Sequence, residues 1–157
     1  MIGKNLIVGN SSVDNVIFPD GTLCRSVCGG NGFHASMAAS ILSNDVALLS
    51  TVPSNFPFEY LTKLSAIGID ISRVVICNKP VECEELFVYE SNGDRLDGIF
   101  IRKEILDDLP GMLSPIAVKK LCSYDAEGYS FKNFHDEFKP DAKTIPAEWG
   151  IRSVHLA

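Results

Sequence analysis

Short, unbroken apolar runs alternate with helical periodicity through the first half of the chain. Leu6-Ile7-Val8, ending at Gly9, is apolar at every position, and Val46-Ala47-Leu48-Leu49-Ser50-Thr51 opens with four apolar residues. That is the pattern of strands covered on both faces. Between them, residues 33–42 (FHASMAASIL) predict a helix with apolar residues on most faces, buried against the sheet and beginning at the glycines of residues 29–32. Phe58, Leu61, Leu64 and Ile67 recur at three-residue steps and predict a second helix, stopped at Gly68. Strand, helix, strand, helix predicts a parallel α/β sheet.

The middle of the chain reads differently. Pro19-Asp20-Gly21 separates Val16-Ile17-Phe18 from residues 22–27, which predicts a hairpin. Val74-Val75-Ile76 and Leu86-Phe87-Val88-Tyr89 predict further strands, and Ser91-Asn92-Gly93-Asp94 a turn before Ile99-Phe100-Ile101. Residues 115–122 fit one helix, residues 129–149 have no clear period, and Ser153-Val154-His155-Leu156-Ala157 predicts a last core strand. A parallel strand ordinarily needs a crossover helix and covering layers, so a chain ending there reads as unfinished.

Composition narrows the function. With 157 residues, 46% of them hydrophobic, the chain can bury one sizeable core. A net charge of -6 without clustered Lys or Arg argues against a nucleic-acid partner. The amino terminus carries no apolar stretch long enough for a signal peptide or a membrane span, so no membrane partner and a cytoplasmic location are expected. Five cysteines, an odd number with no Cys-x-x-Cys pair and no nearby histidines at ligand spacing, read as reduced thiols, and no metal site is expected.

Two stretches could carry chemistry. Gly29-Gly30-Asn31-Gly32 at a helix start lets a ligand approach the backbone and directs N–H groups at its oxygens, although the same pattern also suits a plain hairpin-to-helix turn. It is neither a Walker loop nor a dinucleotide fingerprint, because no Gly-Lys-Ser/Thr follows and the glycines come after the hairpin. Gly9-Asn10-Ser11-Ser12-Val13-Asp14 falls where the first strand ends, and Asp14 there could accept hydrogen bonds from two ligand hydroxyls or simply cap a turn.

The order Val8-Gly9, Asp14, a hairpin, Gly29-Gly30-x-Gly32-x-x-Ala35 and a second strand resembles the opening of the ribokinase-type (PfkB) carbohydrate kinases. Leu64-x-x-x-Gly68-Ile69-Asp70 and Asn92-Gly93-Asp94-Arg95 are similar to later segments of that family. The resemblance covers about residues 5–101, with a weaker match at the last strand. It implies an α/β ribokinase-like fold, a parallel sheet flanked by helices, with a small β lid from strands about 14–28 and 84–101. The 157 residues would form the amino-terminal part of that domain, the carboxy-terminal ATP-binding half being absent.

It further implies a kinase that moves the ATP γ-phosphate to a sugar or nucleoside hydroxyl, with ATP and Mg2+ as cofactors and a homodimer through the lid strands. Asp14, Gly29, Gly30 and Asn31 would line the substrate. His34 stands where the family commonly has Asn, and either side chain can donate a hydrogen bond; Ser12 stands where relatives often carry Asn. Pro53-Ser54-Asn55-Phe56-Pro57 departs from the family's usual glycines. The family's catalytic Asp sits in a glycine-rich anion hole, and Asp107, Asp108, Asp125, Asp136 and Asp141 all lack such neighbours. The base is therefore expected beyond Ala157, and the chain alone is expected to be inactive. Two other readings stand beside this one: a noncatalytic sugar-binding or dimerising module, and an unrelated nucleotide-binding α/β domain.

Overall fold

The computed structural model describes residues 3–114, 117 and 136–157. These divide into two compact units: the first draws on Met1–Ser12, Cys28–Pro80 and Glu137–Ala157, the second on Val13–Val27 and Val81–Asp136.

In the first unit, β1 (Asn5–Val8), β4 (Val46–Val52), β5 (Asp70–Ile76) and β8 (Ser153–Leu156) form one sheet in the order β5-β4-β1-β8. All three pairings are parallel. Every residue of β4 is buried, because apolar groups cover both faces. On one face Ile7, Val46 and Leu48 pack with Leu64 and Ile69, and with Phe33, Ala35 and Ala39. These partners come from α1 (Asn31–Leu42) and from α2 (Phe58–Ala66) with the residues after it. On the other face Leu6, Ala47 and Leu49 meet Ile145 and Trp149, carried by two 3-10 turns, Ala142–Thr144 and Ala147–Trp149.

Both helices start and stop close to where the sequence predicts. Gly30, at φ 89°, opens α1, and Gly68, also at φ 89°, ends the turn after α2 with its N–H donating to the Ser65 carbonyl. The expectation that α1 is buried on most faces is corrected. Only Gly32 and Ser36 are buried in it, while Ile41 and Leu42 are 83% and 89% exposed. An apolar side chain is buried only where another element covers it, and this helix meets its sheet through Phe33, Ala35 and Ala39. Phe58 and Ile67 of the expected apolar stripe are likewise exposed, leaving Leu61 and Leu64 as its buried part.

In the second unit the sheet order is β3-β2-β6-β7, from β2 (Ser12–Ile17), β3 (Leu23–Gly29), β6 (Cys83–Tyr89) and β7 (Arg95–Arg102). Both predicted turns are present, with Gly21 at φ 87° and Gly93 at φ 90°. What the sequence did not indicate is the parallel pairing of β2 with β6, Asp14 beside Glu85 through Ile17 beside Val88. Ile17, Leu23, Leu86, Val88 and Ile101 form the core, closed by Leu106 of α3 (Lys103–Asp107) and by Leu113. The helix expected over residues 115–122 falls, but for Ala117, outside the described residues. No disulfide links the described cysteines.

Candidate substrate site

The site begins where β1 ends. There the chain passes Gly9, Asn10, Ser11 and Ser12, and the glycine turn leading into α1 comes back against it. A Cβ on Gly30 would stand 2.6 Å from the Asn10 carbonyl oxygen and 2.9 Å from the Ser12 nitrogen. One on Gly32 would stand 2.7 Å from the Gly9 carbonyl carbon, and one on Gly9 would meet the Gly32 Cα at 2.8 Å. Backbone therefore lies on backbone, and no side chain fits between. Only glycines satisfy this contact, which gives the sequence pattern its physical reason.

The contact places the N-terminus of α1 at the carboxyl ends of β1 and β4, the edge where open α/β sheets hold ligands. Polar side chains gather there. Asn10, Ser11, Ser12, Ser50 and Thr51 are all buried. Ser50 donates to Ser11 across 3.4 Å, and Thr51 donates to the Lys139 carbonyl at 3.2 Å. The Cys28 backbone bonds the Tyr60 hydroxyl, tying the end of β3 to α2, and burial holds that phenol above its ordinary range.

One expectation changes at this point. The glycine turn was expected to offer backbone N–H groups to a ligand, yet Asn10 takes two of them. Its carbonyl accepts from Gly32 N–H at 2.9 Å and its Oδ1 from Asn31 N–H at 3.3 Å, while the His34 N–H turns back to the Gly30 carbonyl. What the turn presents outward is the exposed side chains of Asn31 and His34. Asn10 is thus a residue that sequence reasoning missed; its place between Gly9 and Ser11 was the available signal.

Ser12, Gly29, Gly30, Asn31 and His34 all belong to the first unit, whereas Asp14 is a half-buried residue of β2 in the second. The register sets Glu85 beside Asp14, so two carboxylate side chains share one face of that sheet. On the opposite face, Asn15 is buried. Its Nδ2 donates to Glu84 Oε2 at 2.9 Å and to the Glu85 carbonyl at 3.4 Å, and its Oδ1 accepts from Ser26 N–H at 3.0 Å. Ser26 has φ 51°, a left-handed backbone that this bond helps to hold in β3.

Elsewhere the acidic residues have structural work. Asp107 ends α3 and Asp141 caps a 3-10 turn by accepting from Lys143 N–H at 2.9 Å. Among the described residues no three His, Cys, Asp or Glu side chains converge to hold a metal ion. No helix among them is long and apolar enough to cross a membrane.

The architecture matches solved structures. A ribokinase from Cryptococcus neoformans var. grubii serotype A, in complex with ADP, superposes with a TM-score of 0.55 at 14% identity, over 64% of this chain and 35% of that one. The fold is ribokinase-like. A nucleoside kinase from Burkholderia thailandensis, in complex with inosine, gives 0.52 at 18% identity, over 62% of this chain and 36% of its own. In sequence, a cytidine kinase of Thermococcus kodakarensis is 27% identical over 121 residues, 71% of this chain and 43% of that protein. No family model matches. The chain spans less than half the length of each of these three relatives.

Proposed function

We propose that this chain supplies the substrate-binding part of a PfkB-type sugar or nucleoside kinase. The observation that carries the reading is the glycine contact, which sets the start of α1 at the carboxyl ends of a parallel sheet without an intervening side chain. The likeness to a cytidine kinase supports a nucleoside or sugar substrate.

In this reading the hairpin unit, strands about 14–28 and 84–101, is the lid, and its strands are the surface of a homodimer. Asp14 accepts hydrogen bonds from two substrate hydroxyls. Gly29 and Gly30 let the substrate lie against the backbone, and Asn31, His34 and Ser12 offer polar contacts. The reaction forms a bond from the substrate hydroxyl oxygen to the γ-phosphorus of ATP, breaks the bond to the leaving ADP oxygen, and passes the hydroxyl proton to a base. That base, and the groups that hold ATP and Mg2+, are assigned to sequence other than these 157 residues, in a cytoplasmic enzyme.

Calorimetric titration of the chain with ribose, fructose, adenosine, cytidine and ATP tests the proposal. Binding of a sugar or nucleoside is expected, and Asp14→Ala should weaken it at least ~10-fold, the loss of a charged hydrogen bond, with an unchanged urea midpoint. ATP binding without any sugar or nucleoside binding would overturn it.

A further inference from the structure

The second unit contains a cavity at the tips of its two hairpins. It encloses about 330 Å³, within the range of small-molecule sites. Three kinds of side chain line it, and each is informative. Ile17, Val88 and Leu113, all buried members of the core, give it an apolar base. Phe18 and Tyr89 form a wall, their rings 6.4 Å apart and within 17° of parallel. Both remain well exposed, at 43% and 37%, so core packing alone does not account for two aromatic rings there. Asp20 and Glu90 are the charged lining residues, and both are acidic.

An apolar base, exposed aromatic faces and carboxylates together select for one chemistry. Aromatic faces attract cations, carboxylates neutralise them, and the base takes up hydrocarbon. We propose that this cavity binds a small organic cation, an ammonium or guanidinium group on a short apolar stem. None of its lining residues is among the six assigned above to the kinase substrate, although all but Leu113 fall within the lid spans assigned above to the homodimer surface.

Two local details favour a cation. The Thr22 N–H donates to Asp20 Oδ1 at 2.9 Å, fixing the carboxylate in place at the hairpin tip and holding it below its usual range. The hairpin's own nearby cation, Arg95, lies 4.9 Å over the Phe87 ring and is not part of the lining. The β6–β7 hairpin thus already holds one cation, Arg95 of β7, against an aromatic face of β6, beside its register partner Tyr89.

The test is a titration of the full chain with n-butylammonium, n-butylguanidinium and neutral n-butanol, read by calorimetry and by the methyl resonances of Ile17, Val88 and Leu113. Saturable shifts are expected with both cations, and n-butanol should bind more weakly than either. Tyr89→Leu keeps an apolar wall but removes the π face, and Glu90→Gln keeps size but removes charge. Each should weaken the cations about 2- to 5-fold without altering n-butanol. Asp20→Asn, which retains an acceptor for Thr22, should act like Glu90→Gln. Absence of saturable shifts, n-butanol binding as tightly as the cations, or an unchanged affinity in all three variants would overturn the assignment.

Discussion

In the first unit the buried polar side chains Asn10, Ser11, Ser12, Ser50 and Thr51 collect at one end of a parallel sheet, while in the second unit, among the described residues, Asn15 is buried in mid-strand. In the first group Asn10 Oδ1 accepts from the Asn31 N–H at 3.3 Å, Ser50 donates to Ser11 at 3.4 Å and Thr51 to the Lys139 carbonyl at 3.2 Å, along a glycine-lined edge. Asn15 satisfies three partners at once and holds β2, β3 and β6 in register. In the proposed function the strand-end group borders the substrate, whereas the mid-strand Asn15, with its partners satisfied, fixes shape. The glycines divide in a similar way. Gly30 and Gly32 are pressed against backbone, but Gly93 at a hairpin tip has nothing within 4 Å of its would-be Cβ.

The largest expected effect breaks the glycine contrast. Gly30→Ala combines a positive φ with a Cβ against the Asn10 carbonyl and should cost about 2 to 5 kcal/mol by urea denaturation. Gly93→Ala carries the φ penalty alone and should cost about 1 to 2 kcal/mol. Equal losses would mean that the β1 contact yields, and the argument for a glycine-only cradle would fail.

Next is the asparagine comparison. Asn15→Ala leaves the Ser26 N–H and the Glu84 carboxylate without their partner and should cost about 2 to 3 kcal/mol. Asn10→Ala removes one 3.3 Å side-chain bond and should cost about 1 kcal/mol. The reverse order would show that the strand-end polar group, not the mid-strand one, fixes the fold.

The smallest effect concerns a charge at the start of β5. Burial pushes the Asp70 carboxyl up, but bonds from Ser72 and the Lys4 ammonium at 3.0 Å outweigh it and leave it below the ordinary value. Its ionised form is favoured in the fold, so the contribution is present above the unfolded carboxylate range near ~3.9 and is lost as pH falls through the folded value. The pair is partly exposed, so the amount should stay under about 1 kcal/mol. Unfolding midpoints of Asp70→Asn and the parent at pH 7 and pH 3 should converge at the lower pH; a gap that persists at pH 3 would assign the effect to packing instead.

The β1 run and the first four residues of β4 were legible in the sequence because a stretch covered on both faces is apolar at each position. The hairpin turns were legible because glycine at positive φ is a local requirement. Met37, Ile41 and Leu42 misled because apolarity records what a side chain could bury, not what arrives to cover it. Asn15 was hidden in SVDNVI, where a polar residue ordinarily faces solvent, and its partners come from 11 and 69 residues away. Such non-local pairing has no periodic signature. For the candidate site, the glycines were legible through sterics, and the part played by Asn10 was not, since its acceptors serve donors 21 residues further on.

The pairing of β1 with β8 bears on synthesis. Asn5 and Ser153, register partners in the sheet, are 148 residues apart. At roughly 5 to 20 residues per second, about 7 to 30 s separate their emergence from the ribosome. Throughout that interval one hydrogen-bonding edge of β1 faces water, although β4 can already occupy the other. The step that adds β8 to the open edge of β1 is thus timed by translation and by closure of the longest loop in the described chain, and it is the point at which a chaperone or a second strand would compete.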